Sequence, residues 1–323
     1  MIFDLRYENQ LCSSAQAFSF LNFKRRDFYK LGNLAINEVP GGFKMCSTKF
    51  KEKNNINLTP AISELAGIFA ADGSMQKNHI CFWGNPKADK DFYDTRLKNL
   101  FLKAFNITIK PHEKKSNSVY GFYICDKSII KYFNEILNFP IGKKTYSLSI
   151  PNIIYVHKDK KILCAFLRGF FAGDGCLNFD KRYAKDQKIL KIIHTYPRIQ
   201  IKSVSKTVIY QLSNILNKLN IRNFVSKKCS KKENEADSYL LQISGVLMLE
   251  KWVEEIGFSN TNHSTRYEIF KKQGLVPPNT SYSQRVAILE GKLDPWLFYP
   301  KRTRSLVWIR RQDQVVPLEP SKL

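Results

Sequence analysis

Two nine-residue segments of this chain nearly repeat each other: Leu65–Gly73 reads LAGIFAADG and Leu167–Gly175 reads LRGFFAGDG. Six of the nine positions are identical, and the identical set includes the closing pairs Asp72-Gly73 and Asp174-Gly175. A segment this apolar, with glycine inside it and one carboxylate at its end, makes a poor surface helix and a poor strand. Two copies in one chain predict a duplicated unit whose repeated segments bury themselves against each other.

Helical spacing sharpens that reading. Thr59-Pro60 offers a hydroxyl N-cap followed by proline at the first helical position, where its missing N–H costs nothing, and Asp159 caps the second copy before Lys160. Residues three and four apart share a helix face. Ser63, Gly67 and Ala70/Ala71 then form one small-residue face, and Ala165, Gly169 and Ala172/Gly173 form its match. An interior helical glycine costs about 1 kcal/mol against alanine, and close backbone approach between two helices is what offsets it. The larger Ile62, Leu65 and Phe69, with Leu163, Phe166 and Phe170, are left to face each repeat's own core.

Asp72 and Asp174 fall at the C-terminal ends of these helices, where the helix dipole disfavours negative charge, and they repel one another. A hard divalent cation resolves both conflicts, since Mg²⁺ takes one or two carboxylates and completes its shell with water and phosphate. A single Asp-Gly after a buried helix reads equally well as a turn; two copies with matched small faces favour the metal site.

The paired segments resemble the signature of the LAGLIDADG homing endonucleases, in the single-chain form with two motifs, and the resemblance extends over about residues 58–272. It implies an α+β fold of two pseudo-symmetric α-β-β-α-β-β-α halves, with antiparallel or mixed sheets forming a DNA-binding saddle. Ser63, Gly67, Ala70, Ala165, Gly169 and Ala172 would form the helix interface. Asp72 and Asp174 would be the catalytic, metal-binding acids, with the carbonyls of Ala71 and Gly173 as further ligands. The implied cofactor is Mg²⁺, with Mn²⁺ substituting and Ca²⁺ binding without turnover. The implied activity is site-specific cleavage of double-stranded DNA by a monomer at a long asymmetric target.

The rest of the chain agrees in character. Fifty-two basic against 28 acidic residues leave a net charge of +24, which predicts a polyanionic partner. A hydrophobic content of 43% excludes a disordered basic tail. No apolar run is long enough to span a membrane. The start, Met1-Ile-Phe-Asp-Leu-Arg6, lacks the pattern of a secretion or clear transit signal, so a cytoplasmic protein is expected. The seven cysteines are scattered without a Cys-x-x-Cys pair and read as reduced, and the five histidines show no metal-ligand spacing.

Beyond each acid the same order of elements recurs. The first half offers Ser74–Lys77, a strand at His79–Gly84, a helix at Ala88–Phe105, strands at Ile107–His112 and Val119–Cys125, and a helix at Lys127–Leu137. The second offers Cys176–Asp180, a strand at Arg198–Val204, a helix at Lys206–Leu219, strands at Arg222–Lys228 and Tyr239–Ile243, and a helix at Val246–Ile256. The loops Phe139–Thr145 and Phe258–Ser264 match as exits. Alternation puts Arg198, Gln200 and Lys202 on one strand face, and Thr108, Lys110 and His112 on another. A β-ribbon fits the DNA major groove, where Arg and Lys read guanine and Gln or Asn reads adenine. Lys77, Asn85, Lys110, His112, Arg198, Gln200, Lys202 and Arg222 are candidate DNA contacts. The basic runs holding Lys181, Arg182, Lys227 and Lys228 are candidates for phosphate contact.

The expected domains are an N-terminal extension (1–57), the first half (58–142), a linker (143–158), the second half (159–274) and a basic C-terminal extension (275–323) with a helix at Tyr282–Leu289. No basic residue is assigned to the metal centre: Tyr123 and Gln242 stand on the central strands where one would be sought. The chain neither starts with Cys or Ser nor ends in His-Asn, so a free-standing, intron-encoded enzyme is expected rather than a protein-splicing element. An intron RNA maturase, with intron RNA as partner, and a non-cleaving DNA-binding regulator are the alternatives on the same fold.

Overall fold

The computed structural model describes residues 57–114, 116, 118–181, 192–230 and 236–300. The expectations for the N-terminal extension, for Arg182 and for the basic tail lie outside these residues.

Helix α1 (Pro60–Asp72) begins as its sequence dictates: the Thr59 hydroxyl accepts from the Ile62 N–H, and Pro60 takes the first position. The strands β1 (Gly73–Gln76) and β2 (His79–Gly84) follow directly. Helix α2 runs Lys90–Phe92, passes through a π turn at Tyr93–Leu97 and continues Lys98–Phe105. Strands β3 (His112–Lys114) and β4 (Val119–Ile124) come next, then α3, Lys127–Lys131 with a π turn at Tyr132–Ile136. A short helix α4 (Asn152–Tyr155) lies in the linker.

The second half repeats the order: α5 (Lys160–Asp174), β5 (Gly175–Lys181), β6 (His194–Ser203), α6 (Lys206–Lys218), β7 (Phe224–Lys228), β8 (Ser238–Ser244) and α7 (Val246–Glu255). Helices α8 (Thr261–Gln273) and α9 (Tyr282–Leu289) and a 3₁₀ turn at Pro295–Phe298 complete it. The sheets have the same topology, β1-β2-β4-β3 and β5-β6-β8-β7, and all their pairings are antiparallel. The expected twice-repeated order is therefore present, without the parallel pairs a mixed sheet would need.

Three local expectations are corrected. Residues 107–111 form no strand, because Pro111 cannot donate to a ladder and Asn106 turns the chain in the left-handed region (φ 53°). Ile107 and Ile109 are still buried there, so the alternation reported burial rather than pairing. Arg222 precedes β7 instead of opening it, since the Asn223 side chain binds the Ile221 carbonyl (2.9 Å) and Asn217 (2.8 Å). The exits from the two halves differ: 139–145 is a loop, whereas Asn260 caps α8 by accepting from the Asn262 N–H. The linker is partly helical and well anchored, with Leu148, Ile150 and Ile154 buried.

One continuous hydrophobic core joins the halves, including Phe69, Phe82, Phe101 and Phe133 from the first and Phe166, Phe171, Leu212 and Trp252 from the second. Among the described residues no helix is long and apolar enough to cross a membrane. Cys81, Cys164, Cys176 and Cys229 are free thiols.

Candidate metal centre and nucleic-acid interface

The axis of the site is the crossing of α1 and α5. A methyl group placed on Gly67 would lie 2.2 Å from the Phe166 carbonyl oxygen, and one on Gly169 would lie 2.0 Å from the Glu64 carbonyl oxygen. Backbone therefore meets backbone at both glycines, with Ser63, Ala70, Ala165 and Ala172 buried beside them. The Ser63 hydroxyl donates across the crossing to the Ile162 carbonyl (2.7 Å). Of the six residues expected at the helix interface, Ser63, Gly67 and Gly169 meet the opposite helix directly, and Ala70, Ala165 and Ala172 are buried.

The same crossing carries a buried ion cluster. Glu64 is 1% exposed and accepts from Arg96 (2.8 and 2.5 Å) of α2, from Arg168 (2.9 and 2.7 Å) of α5, and from the Ser259 hydroxyl. Burial pushes its carboxyl up, but the Arg96 hydrogen bonds and the Arg168 charge outweigh it and hold the group below the usual carboxylate range. Glu64 thus ties the first half to the second about two turns before Asp72.

At the helix ends, Asp72 and Asp174 are open to solvent, yet crowded by protein. A methyl on Gly173 would fall 2.5 Å from Asp72 Oδ2, so the Asp72 carboxylate rests against the end of the opposite helix. Desolvation by the surrounding protein, then the charges of Asp174 and Asp89, push the Asp72 carboxyl up to about 7. Desolvation takes Asp174 to about 6, and the Lys144 charge moderates both.

Lys144 is the site residue that sequence reasoning missed. Its Nζ donates to the carbonyls of Phe69 (2.7 Å), Ala71 (3.2 Å) and Gly73 (2.5 Å), closing the C-terminus of α1. An ammonium has three N–H donors, and all three are engaged. The group also lies 5.1 Å from the Phe69 ring centroid. Desolvation lowers its pKa to about 8 against the opposing pull of Asp174 and Asp72. The signal available in the sequence was the Lys143-Lys144 pair in the exit loop, not a strand position.

The second half answers differently. His263 occupies the matching place in the repeated exit segment, its ring 4.7 Å from that of Phe171, the counterpart of Phe69. Burial, with Arg266 and Arg285 nearby, pushes it down to about 3, so it is neutral. The buried Asn260 amide donates to the Ala172 carbonyl (3.0 Å) and to Asp89 (2.9 Å), linking the end of α5 to the first half. Among the described residues, the Lys144 charge acts on both carboxylates.

The donor set fits a divalent ion. Two solvent-facing carboxylates with raised pKa values and adjacent carbonyls are hard oxygen ligands that gain from a cation. Ala71 O already accepts one long bond from Lys144, and a carbonyl has a second lone pair. Among the described residues no group of three or more His, Cys, Asp or Glu side chains forms a complete metal cage.

The expected DNA contacts separate into groups. Arg198, Gln200 and Lys202 share the outer face of β6, as expected, with Ile199 and Ile201 in the core. Arg198 pairs with Asp180 (2.8 Å). His112 is exposed on β3, 5.5 Å from the Trp83 ring. Lys77 follows β1, and Lys110 and Arg222 are exposed on loops. Asn85 uses its side-chain oxygen to cap Lys87 (2.8 Å) and Ala88 (3.1 Å). Lys181 ends β5. On the edge strand β7, Lys228 shares the Gln200 face, whereas Lys227 points to the other and pairs with Asp237 (2.6 Å).

Comparison with known proteins places these features. The family model described as LAGLIDADG-like domain matches residues 161–257, the second half. Over 210 residues the chain is 26% identical to the probable translation initiation factor IF-2 of Methanocaldococcus jannaschii, covering 65% of this chain and 16% of that protein. It is 22% identical over 210 residues to the ATP-dependent DNA helicase Hel308 of Thermococcus kodakarensis, covering 63% of this chain and 17% of the other. The chain thus spans less than a fifth of the length of these two relatives. Among solved structures, I-DmoI in complex with DNA and Mn is similar at TM-score 0.42 and 17% identity, covering 62% of this chain and 98% of that one. The LAGLIDADG-like domain is thus matched in the second half, and the first half repeats the motif, the strand order and the glycine crossing of the second.

Proposed function

We propose that the protein is a divalent-metal-dependent endodeoxyribonuclease that cuts both strands of a long asymmetric DNA site, a homing endonuclease acting as a monomer. The observation that carries this reading is the convergence of Asp72 and Asp174 at the ends of two helices packed backbone to backbone. A binding protein gains nothing from two repelling carboxylates there, and a net charge of +24 supplies the affinity for DNA.

Asp72 and Asp174 would hold the ion, with the carbonyls of Ala71 and Gly173 beside them. Bound there, a divalent cation supplies positive charge to the oxygens of an in-line displacement at phosphorus. The chain's own residues prepare the place. The glycine crossing fixes the distance between the two acids, and Glu64 locks it. Lys144 lowers the cost of holding two carboxylates ionised, and with its three donors engaged it acts as a fixed charge rather than a mobile proton donor. The outer strand faces and the basic runs hold the duplex.

The test is cleavage selection on a randomised duplex library with Mg²⁺, followed by sequencing of the ends. Double-strand breaks at one long site, abolished by chelator and by Asp72→Asn with binding retained, are the expected result. Binding to DNA with no cleavage in Mg²⁺ or Mn²⁺ would overturn the enzymatic reading.

A further inference from the structure

On the outer face of the second sheet, five neutral side chains are wired into one hydrogen-bonded chain. The Asn178 amide of β5 donates to Gln200 Oε1 of β6 (3.2 Å), the Gln200 amide donates to Gln242 Oε1 of β8 (2.9 Å), and the Gln242 amide donates to the Ser244 hydroxyl (3.0 Å). Cys176 starts the chain by donating to Asn178 Oδ1 (3.2 Å). The register explains the contacts: Cys176, Gln200 and Gln242 lie in one row across β5, β6 and β8, and Asn178, Arg198 and Ser244 lie in the next.

All four bonds run in the same sense, so each amide uses one N–H and one oxygen lone pair within the protein. An amide has two of each. What remains on Asn178, Gln200 and Gln242 is one donor and one acceptor apiece, with the amide orientation held by its neighbours. Adenine presents an acceptor, N7, beside a donor, the N6 amine, in the major groove; guanine presents two acceptors. A locked amide therefore matches adenine and sets its oxygen against guanine O6. The neighbouring Arg198, the residue type that would read guanine, is tied to Asp180 (2.8 Å).

At the matching positions of the first half one amide, Gln76, stands where the second half has three. In its sheet the row matching Cys176, Gln200 and Gln242 is Ser74, Cys81 and Tyr123; Gln76, opposite His79, matches Asn178, and the row on the other side holds Trp83, Gly121 and His112. That face is aromatic, with Trp83 5.5 Å from His112 and His112 6.3 Å from Tyr123.

We propose that Asn178, Gln200 and Gln242 form an orientation-locked amide ladder that selects adenine in the arm of duplex DNA lying on the second half, and that this difference between the halves sets the direction in which the protein sits on its site. The proposal rests on the DNA-binding reading above and does not depend on cleavage.

The experiment is a binding selection with the full chain on randomised duplex DNA in chelator, comparing the wild type with Gln242→Glu and Asn178→Leu. The wild type should enrich adenine at neighbouring positions of one arm, by about 5- to 150-fold over guanine at a position read bidentately. Gln242→Glu exchanges a donor for an acceptor and should move one of those positions from adenine toward cytosine, whose N4 amine donates. Asn178→Leu removes the lock on Gln200 and should relax adenine to a mixture of adenine and guanine. Enrichment of a site with no adenine preference in either arm, or one unchanged in both variants, overturns the ladder while leaving DNA binding intact. Failure to enrich any sequence overturns both. Unchanged thermal melting of the variants shows that a changed preference is not a folding defect.

Discussion

Gly169 of α5 lies so close to Glu64 of α1 that a single methyl group on it would stand 2.0 Å from the Glu64 carbonyl oxygen. Backbone cannot move aside at a helix crossing that already holds a buried ion cluster. In an exposed helix, glycine to alanine gains about 1 kcal/mol; here overpacking of about 3 kcal/mol or more opposes it. Gly169→Ala is expected to lower the denaturation midpoint substantially with little change in slope, and Gly67→Ala to do the same. Gly173→Ala is different, because its methyl would meet the Asp72 carboxylate, at 2.5 Å, and the Ala71 side chain, at 2.7 Å. It should cost activity more than stability. Denaturant titration of the three variants checks the order.

The Glu64 cluster makes a pH prediction. The carboxyl titrates below its ordinary value of 4.5, because the two arginines favour its charged form more than burial disfavours it. A depressed folded-state pKa contributes stability that is complete above the unfolded value and is lost as pH falls through the folded one. Acid unfolding below about pH 4.5 should therefore be steep in the wild type and flatter in Glu64→Gln. Glu64→Ala should cost about 3 kcal/mol at neutral pH, near the lower end for breaking a buried pair, because Arg96 and Arg168 both retain contact with water. Thermal melts across an acid pH series measure both.

The paired acids run the opposite way. Asp72, at about 7, and Asp174, at about 6, stand above their ordinary carboxylate values. Raised acids contribute stability that is present below the unfolded pKa and lost as pH rises through the folded one. The metal-free protein should lose part of its stability between about pH 4 and pH 7, and a divalent ion, which binds the ionised forms, should restore it. Mg²⁺ is expected to raise the melting temperature clearly at pH 8 and hardly at pH 5. Asp174→Asn removes a charge that raises Asp72, so it should lower the remaining titration and weaken the Mg²⁺ effect. Differential scanning fluorimetry with and without Mg²⁺ at the two pH values checks this.

These features were unequally legible in the chain. The glycine crossing, both acids and the repeated strand order could be read directly, because a small-residue face at helical spacing and a period-two burial pattern are local signals. Residues 107–111 misled because Ile107 and Ile109 alternate as in a strand while Pro111 and Asn106 deny them a partner. Helix α8 was obscured by the likeness of Phe258–Ser264 to the loop at Phe139–Thr145; the asparagine cap at Asn260 was the overlooked cue. Lys144 could not be placed by spacing, since it is brought to the α1 terminus by a loop about seventy residues away in sequence. The amide ladder needs the register of three strands, which no single segment encodes.

Lys144 carries the last prediction. Its charge lowers the pKa of Asp72 and of Asp174, and its three hydrogen bonds satisfy carbonyls at the end of α1. Lys144→Met removes the charge and leaves those carbonyls to water. Both acids should then titrate higher, so the pH at which Mg²⁺ stabilises the protein should move upward. DNA cleavage should fall by about 100-fold or more, the scale of losing one fixed electrostatic group at a reacting centre. Lys144→Arg keeps the charge but replaces a compact ammonium with a planar fork, so it should restore the pH midpoint more fully than the rate. His263 provides the control. It holds the matching place in the second half without a charge, so His263→Gln should leave that midpoint where it is. A midpoint unmoved in Lys144→Met would show that Lys144 serves only to close the helix.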